Sequence, residues 1–478
     1  MPDSGGLFGG IFARGAVDTG DTAWLQAMLD TEAALARALE RAGLAAQGAG
    51  AAVTAAATAA NFDPGELGRQ AALTGNPVPA LVSALAGSLP PAAAAAVHQG
   101  ATSQDIIDTA MMLLARDGAD TVLGSLRAAS GAAAALAAGH EETMMIGRTL
   151  LQQAVPVTFG LVAAGWMTGL DEARKALAAV RHERLAVQFG GAAGTLAPLG
   201  AAGPRVAALL AGELGLAEPV LPWHTSRLRI TELAAALAGA CAAAGKVARD
   251  VTLLAQTEIA EVREGAGPDR QGDDGAAADG PGTSPGPRRG GSSTMPHKQN
   301  PVAAIAVIGC ARQAPGLLAT LTASAEQEHQ RAAGAWHAEW QPLARLLQLT
   351  GSAAAWCAEL LAGLQVDAAA MRANLDAAGG LPLAEHVATV LAPRLGRLAA
   401  HDLVAMAAAR SRRSGRPFRD ELASAIAGSI SGAAVGPDEI DAALDPAGYL
   451  GAADQFVRRA LTAHRDTERA LAGPASGR

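Results

Sequence analysis

Apolar positions recur along this chain at mixed spacings of three and four, the period of a helix with one buried face. From Trp24 to Ala42, residues Leu25, Met28, Leu29, Ala33, Leu35, Ala36 and Leu39 follow that spacing. Asp30, Glu32, Arg37, Glu40 and Arg41 stand between them as the polar face, and Gly43 follows as a stop. An amphipathic helix is predicted there. Similar patterns over residues 125–143, 156–188, 225–264, 301–326 and 341–364 predict five long helices packed as a bundle. Their polar faces are thin. Between Ala234 and Ala244 no residue is charged, which predicts burial on several sides, with subunit packing supplying part of the cover.

The longest apolar stretch, Leu233 to Gly245, lies between Glu232 and Lys246 and falls short of the roughly 20 residues that cross a bilayer. It reads as a buried helix, and no membrane span is expected. Beyond Val366 the helices shorten, separated by Gly379-Gly380, Gly415-Arg416-Pro417 and Asp445-Pro446. The expected architecture is all-α. It has an N-terminal helical domain (1–110), a central long-helix bundle (111–365) and a small C-terminal helical domain (366–478).

Composition narrows the choice of function. Half of the residues are hydrophobic but only 3% are aromatic, so Ala, Leu and Val dominate and favour closely approaching helices. The net charge is −8 and no long basic run is present, which argues against a nucleic-acid partner. Cys241, Cys310 and Cys357 are far apart and form no Cys/His cluster, so neither a disulfide framework nor a zinc site is indicated. Met1 to Gly10 does not read as a signal peptide, and a cytoplasmic location is expected. Gly265 to Gly291, rich in Gly, Pro and Asp, cannot bury enough apolar area to offset the entropy of ordering. It is expected to be a mobile surface loop, and its first part could equally be an inert insertion.

Candidate chemistry begins where that loop ends. Gly291-Ser292-Ser293-Thr294-Met295-Pro296-His297-Lys298-Gln299-Asn300-Pro301 combines glycines, hydroxyls, a lysine and an amide before a long helix. Backbone N–H donors and a nearby ammonium can stabilise a serine alkoxide as a base, and the same residues can equally be a helix cap. In His98-Gln99-Gly100-Ala101-Thr102-Ser103-Gln104-Asp105, the hydroxyls of Thr102 and Ser103 enter a helix, where the macrodipole favours an anion. A plain cap is the alternative here too.

The first string fits the signature G-S-S-x-M-P-x-K-x-N, by which the chain resembles the fumarase/aspartase/adenylosuccinate lyase superfamily. The resemblance implies that Ser292 is the base that exchanges a proton next to a carboxylate. It also implies that Ser293, Lys298 and Asn300 face substrate, with Lys298 as the electrostatic partner of the aci-carboxylate. The TSxD core of the second string places Thr102 and Ser103 on a substrate carboxylate. Gly147-Arg148-Thr149-Leu150-Leu151-Gln152-Gln153-Ala154-Val155-Pro156 is similar to a third region, GRTHGQxAxP, and implies that Arg148, Thr149 and Gln152 bind substrate. Leu150 stands where most members carry a histidine, and Ile305 where its glutamate partner would be.

Joint loss of both resembles the carboxymuconate cycloisomerase subgroup. So do Arg331-Ala332-Ala333-Gly334-Ala335-Trp336-His337-Ala338-Glu339-Trp340 and Gly190-Gly191-Ala192-Ala193-Gly194-Thr195. Pro222-Trp223-His224-Thr225-Ser226-Arg227-Leu228-Arg229 is similar to PWHTxRDR, with Leu228 in place of an aspartate. Arg331 is expected to fork onto a carboxylate of a tricarboxylate substrate, and His224 and His337 to be core or supporting histidines. The resemblance implies a homotetramer sharing its central helices, each active site drawing on three subunits. It implies no metal or organic cofactor. A lyase releasing fumarate from another substituted succinate, and a non-catalytic helical scaffold, are the competing readings.

Overall fold

A computed structural model of the chain describes residues 6–265, 289–291, 295, 298–428 and 435–472. Helix α1 (Asp21–Arg41) covers the stretch expected from its spacing and ends before Gly43. The long helices are α2 (Ser103–Gly139), α3 (Phe159–Glu183), α4 (Leu228–Leu254), α5 (Val302–Ala323) and α6 (Ala335–Ala362). All five were expected, and among the described residues the fold is all-α apart from two small two-stranded sheets.

Three boundaries differ from the sequence reading. Helix α2 begins at Ser103, not near residue 125, because Gln104, Asp105, Asp108 and Thr109 of its first turns are buried polar residues and break the apolar pattern. The stretch before α3 is a hairpin, β1 (Met144–Thr149) with β2 (Gln152–Thr158), so Pro156 lies in a strand. Its register slips between Ile146 and Arg148, where a Cβ on Gly147 would lie 2.5 Å from the Val155 carbonyl oxygen. Helix α4 stops at Leu254, and β3 (Val262–Glu264) then pairs with β4 (Leu364–Val366).

The described chain divides into two compact units of discontinuous segments. The first comprises residues 1–129, 170–248 and 303–358. Its core gathers Leu29, Leu35 and Leu39 of α1 with Val53, Leu81, Leu85, Ile106, Val206 and Leu210. Arg37 and Arg41 hold Glu213 at 2.8 Å each. The second unit comprises 130–169, 249–302 and 359–478. It contains the hairpin and a helical core built on Val387, Leu391, Leu403, Val404, Phe418 and Leu422.

Helices α2, α4 and α5 are long and apolar enough, by length and composition, to cross a membrane. Reading Leu233 to Gly245 as the longest apolar stretch therefore understates them, since an apolar window tolerates the isolated charges that bracket it. Only 33%, 44% and 33% of those windows is buried within this chain.

Candidate active site

In the first unit the start of α2 is held by one carboxylate. Asp105 accepts the Thr102 N–H (3.1 Å), closing the helix start as a cap. It also accepts the Gly190 and Gly191 N–H groups (3.1 and 2.9 Å), and His224 Nε2 lies 2.7 Å from its Oδ1. His224 is thus buried against a carboxylate, whereas His337 is exposed and its Nε2 lies 2.9 Å from the Gly75 carbonyl. The Thr102 and Ser103 hydroxyls make no hydrogen bond among the described residues. Gly191 needs its left-handed φ of 66°, and a Cβ there would lie 2.8 Å from the Gly100 carbonyl oxygen.

Arg331 reaches the same turn. Its guanidinium donates to the carbonyls of Gly191 (2.6 Å) and Ala192 (3.2 and 3.3 Å) and to Gln104 Oε1 (3.1 Å). Every one of these acceptors is neutral. Partial burial lowers its pKa, with the charges of Asp105 and Asp108 acting the other way. Arg331 is therefore a fixed, half-buried cation whose hydrogen-bond partners do not cancel its charge, the electrostatic requirement for a carboxylate site.

Behind this turn lies a charge network that the sequence reading did not find. Arg227, with no exposed side-chain surface, is clamped by Asp108 (2.7 and 3.0 Å) and Glu339 (2.5 to 3.1 Å). Trp336 Nε1 donates to Asp108 (3.0 Å), as does Gln104 (3.1 Å), and Gln327 donates to Glu339 (3.0 Å). Burial pushes Glu339 up to about 6 in spite of Arg227, because Asp108 shares the same cation. The signal available in sequence was the spacing of Asp105 with Asp108 and of Trp336 with Glu339, each three apart and so on one face of a helix.

In the second unit the hairpin presents Thr149 and Gln152 as its closing pair, both exposed. Between them Leu150 and Leu151 adopt left-handed φ values of 50° and 64°, the geometry of a two-residue turn that favours Asn-Gly, and are 96% and 73% exposed. Arg148 is differently placed. Its two terminal nitrogens fork onto Glu261 (2.7 and 2.8 Å), whose side chain is fully buried and also accepts from Asn374 (2.8 Å). That fork ties β1 to the segment before β3.

The signature loop is closed at its neck. Gly291 and Gln299 form a β-bridge, and the Asn300 N–H and Nδ2 both donate to the Gly290 carbonyl (2.9 and 3.1 Å). Gly290 has φ 76°, and a Cβ there would sit 2.4 Å from the Asn300 carbonyl oxygen. Asn300 thus serves the neck with its amide nitrogen. Lys298 is exposed. Ser292 and Ser293 lie outside the described residues, as does most of the stretch expected to be a mobile loop. Arg289, at the loop's far side, pairs with Glu264 (2.9 Å) and Glu359 (3.1 Å).

The family described as Lyase matches residues 19–273, and that described as Adenylosuccinate lyase C-terminus matches residues 380–460. A 3-carboxy-cis,cis-muconate cycloisomerase of Bradyrhizobium diazoefficiens is 45% identical over 94% of this chain and 95% of its own length. The chain belongs to the fumarase/aspartase/adenylosuccinate lyase superfamily. Among its other relatives in that superfamily, a nitrosuccinate lyase of Streptomyces davaonensis is 42% identical, covering 92% of this chain and 90% of its own. The crystal structure of a 3-carboxy-cis,cis-muconate lactonizing enzyme from Pseudomonas putida superposes with a TM-score of 0.86 at 40% identity, over 97% of this chain and 99% of that one. The resemblance read from the signature strings and the all-α superfamily fold are both borne out.

Proposed function

We propose that this enzyme lactonises 3-carboxy-cis,cis-muconate to 4-carboxymuconolactone. The observation that carries the reading is 45% identity to a cycloisomerase of that substrate over nearly the whole of both chains. In the reaction a substrate carboxylate oxygen bonds to the far carbon of a conjugated double bond. The π pair moves onto the carboxylate conjugated with it, giving an aci-carboxylate, and the α-carbon then takes a proton. No electrons enter or leave.

Three kinds of group meet these needs. Ser292 supplies the proton to the α-carbon and removes it in the reverse direction. Lys298, with Asn300 and Ser293, stabilises the charge that builds on the activating carboxylate. Arg331, with the Thr102 and Ser103 hydroxyls, binds a further carboxylate. Its neutral hydrogen-bond partners and the two unengaged hydroxyls support that assignment. Thr149 and Gln152, exposed at the hairpin tip, contact the remainder of the substrate. Arg148, next to Thr149 in the chain, holds β1 in place through its fork onto Glu261. A carboxylate leaves more readily than an amine without being protonated, so Leu150 and Ile305 are compatible with turnover in either direction.

The working form is a cytoplasmic homotetramer whose subunits cover the apolar faces of α2, α4 and α5. The low burial of those helices within one chain supports this. The 42% identity to a nitrosuccinate lyase favours, as the second reading, release of a substituent from a substituted succinate. The test is the ultraviolet absorbance of 3-carboxy-cis,cis-muconate on adding enzyme in EDTA, beside nitrosuccinate and adenylosuccinate, with Ser292→Ala as control. Loss of the muconate chromophore by the wild type alone is expected. A silent muconate assay with fumarate appearing from nitrosuccinate would replace the proposal by the second reading.

A further inference from the structure

Glu32 lies in α1 at a position that the sequence pattern assigns to the polar face, yet its side chain has no exposed surface. One residue occupies both of its oxygens. The His98 backbone N–H donates to Oε2 (2.9 Å), and His98 Nδ1 lies 2.7 Å from Oε1. A buried carboxylate needs a cation or several donors, and here His98 is its partner. His98 holds a left-handed φ of 58°, a conformation that a non-glycine residue adopts at a cost. About a fifth of its side chain (21%) is exposed, and Nε2 has no hydrogen-bond partner among the described residues.

The turn carrying His98 leads straight into the candidate site. Its carbonyl accepts the Ala101 N–H (3.1 Å), and Thr102 and Ser103 follow. The Gly100 carbonyl packs against Gly191, whose own carbonyl holds Arg331. The charge of Asp105 acts on both His98 and Arg331. A histidine that merely pinned this turn would use its N–H and Nδ1 alone. Here Nε2, on a partly exposed ring, is left without a partner among the described residues and is available to a ligand.

We propose that His98 is a substrate-binding residue, its Nε2–H donating to a carboxylate of the substrate while Glu32 fixes the ring and balances its charge. This rests on the reading of the substrate as a tricarboxylate. Burial alone would lower the pKa of His98, but the hydrogen bond and charge of Glu32, aided by Asp105, outweigh it and raise the pKa above 6.5. The imidazolium, with both nitrogens as donors, therefore persists to higher pH than in a free histidine.

His98→Asn is the discriminating variant, since its amide can still donate to Glu32 while nothing replaces Nε2. KM for the tricarboxylate is expected to rise about 10- to 100-fold, the range for a hydrogen bond between charged groups, with kcat far less affected. The alkaline fall in kcat/KM, where His98 loses its proton, should vanish in His98→Asn and move to lower pH in Glu32→Gln. Wild-type KM and an unchanged pH profile in His98→Asn would overturn the proposal.

A second measurement needs neither variant nor turnover. Diethyl pyrocarbonate should carbethoxylate His98 in the wild-type protein, as read by peptide mass, and propane-1,2,3-tricarboxylate should protect it. Modification without protection refutes the binding role. Protection in a protein that leaves the muconate untouched refutes the proposed substrate and keeps His98 as a carboxylate ligand.

Discussion

Replacing Arg227 by methionine removes the cation between Asp108 and Glu339 while keeping a long apolar stem. Asp108 would retain Trp336 and Gln104, and Glu339 would retain Gln327, but neither carboxylate would keep a counter-charge. Both side chains have no exposed surface. Stranding buried charges in this way costs about 3–5 kcal/mol. By per-residue unfolding entropies, a unit of this size should lose on the order of 5–10 °C in melting temperature.

The loss should depend on pH with a definite sign. Without Arg227, Glu339, already pushed up by burial, loses the cation that lowers it, so the folded state keeps a proton that the unfolded chain releases. Stability then falls as pH rises through the folded pKa of Glu339. The wild type already shows the milder form of this, since Glu339 titrates at about 6 against an ordinary 4.5 and opposes folding progressively across that window. Calorimetry at about pH 5 and about pH 8 should therefore show the larger deficit at the higher pH. Glu339→Gln, which removes the excess negative charge, should melt within about 2 °C of wild type at the higher pH. An Arg227→Met deficit that is absent, or equal at both pH values, refutes the reasoning.

Gly290→Ala should cut kcat at least about tenfold with helix content unchanged on circular dichroism, because its Cβ would collide with the Asn300 carbonyl and open the neck of the signature loop. Replacing Leu150-Leu151 by Asn-Gly should raise the unfolding free energy, read from denaturant titration, by about 1 kcal/mol, since two left-handed leucines give way to residues that tolerate that backbone. All three cysteines are buried, and burial pushes Cys241 and Cys357 up to about 12. A thiol reagent should label the folded protein far more slowly than the protein in denaturant.

The helices that pack by apolar spacing alone were legible in the sequence, and α1 is the clearest case. The start of α2 was not, because its first turns turn polar residues inward. Glu32 failed for the same physical reason, since a sequence pattern gives every charge to the solvated face unless its partner is known, and His98 lies far along the chain. The hairpin was hidden by Gly147 and Pro156, residues that mark a bulge or a strand end only once the pairing is seen. Arg331 was legible through the string around it. Its neutral hydrogen-bond partners were not, since Gly191 and Ala192 contribute carbonyls, and a carbonyl leaves no mark in a sequence.

The clamp of Arg289 on Glu264 and Glu359, beside the Gly265 N–H bond to the Gly363 carbonyl at 3.0 Å, bears on protein engineering. It brings the two flanks of the Gly/Pro-rich segment to one place, so their closure is already met by the fold. Added length there costs only about 0.6 kcal/mol for each doubling. A tag, reporter or whole foreign domain spliced between those flanks would hang from a point that the fold already holds.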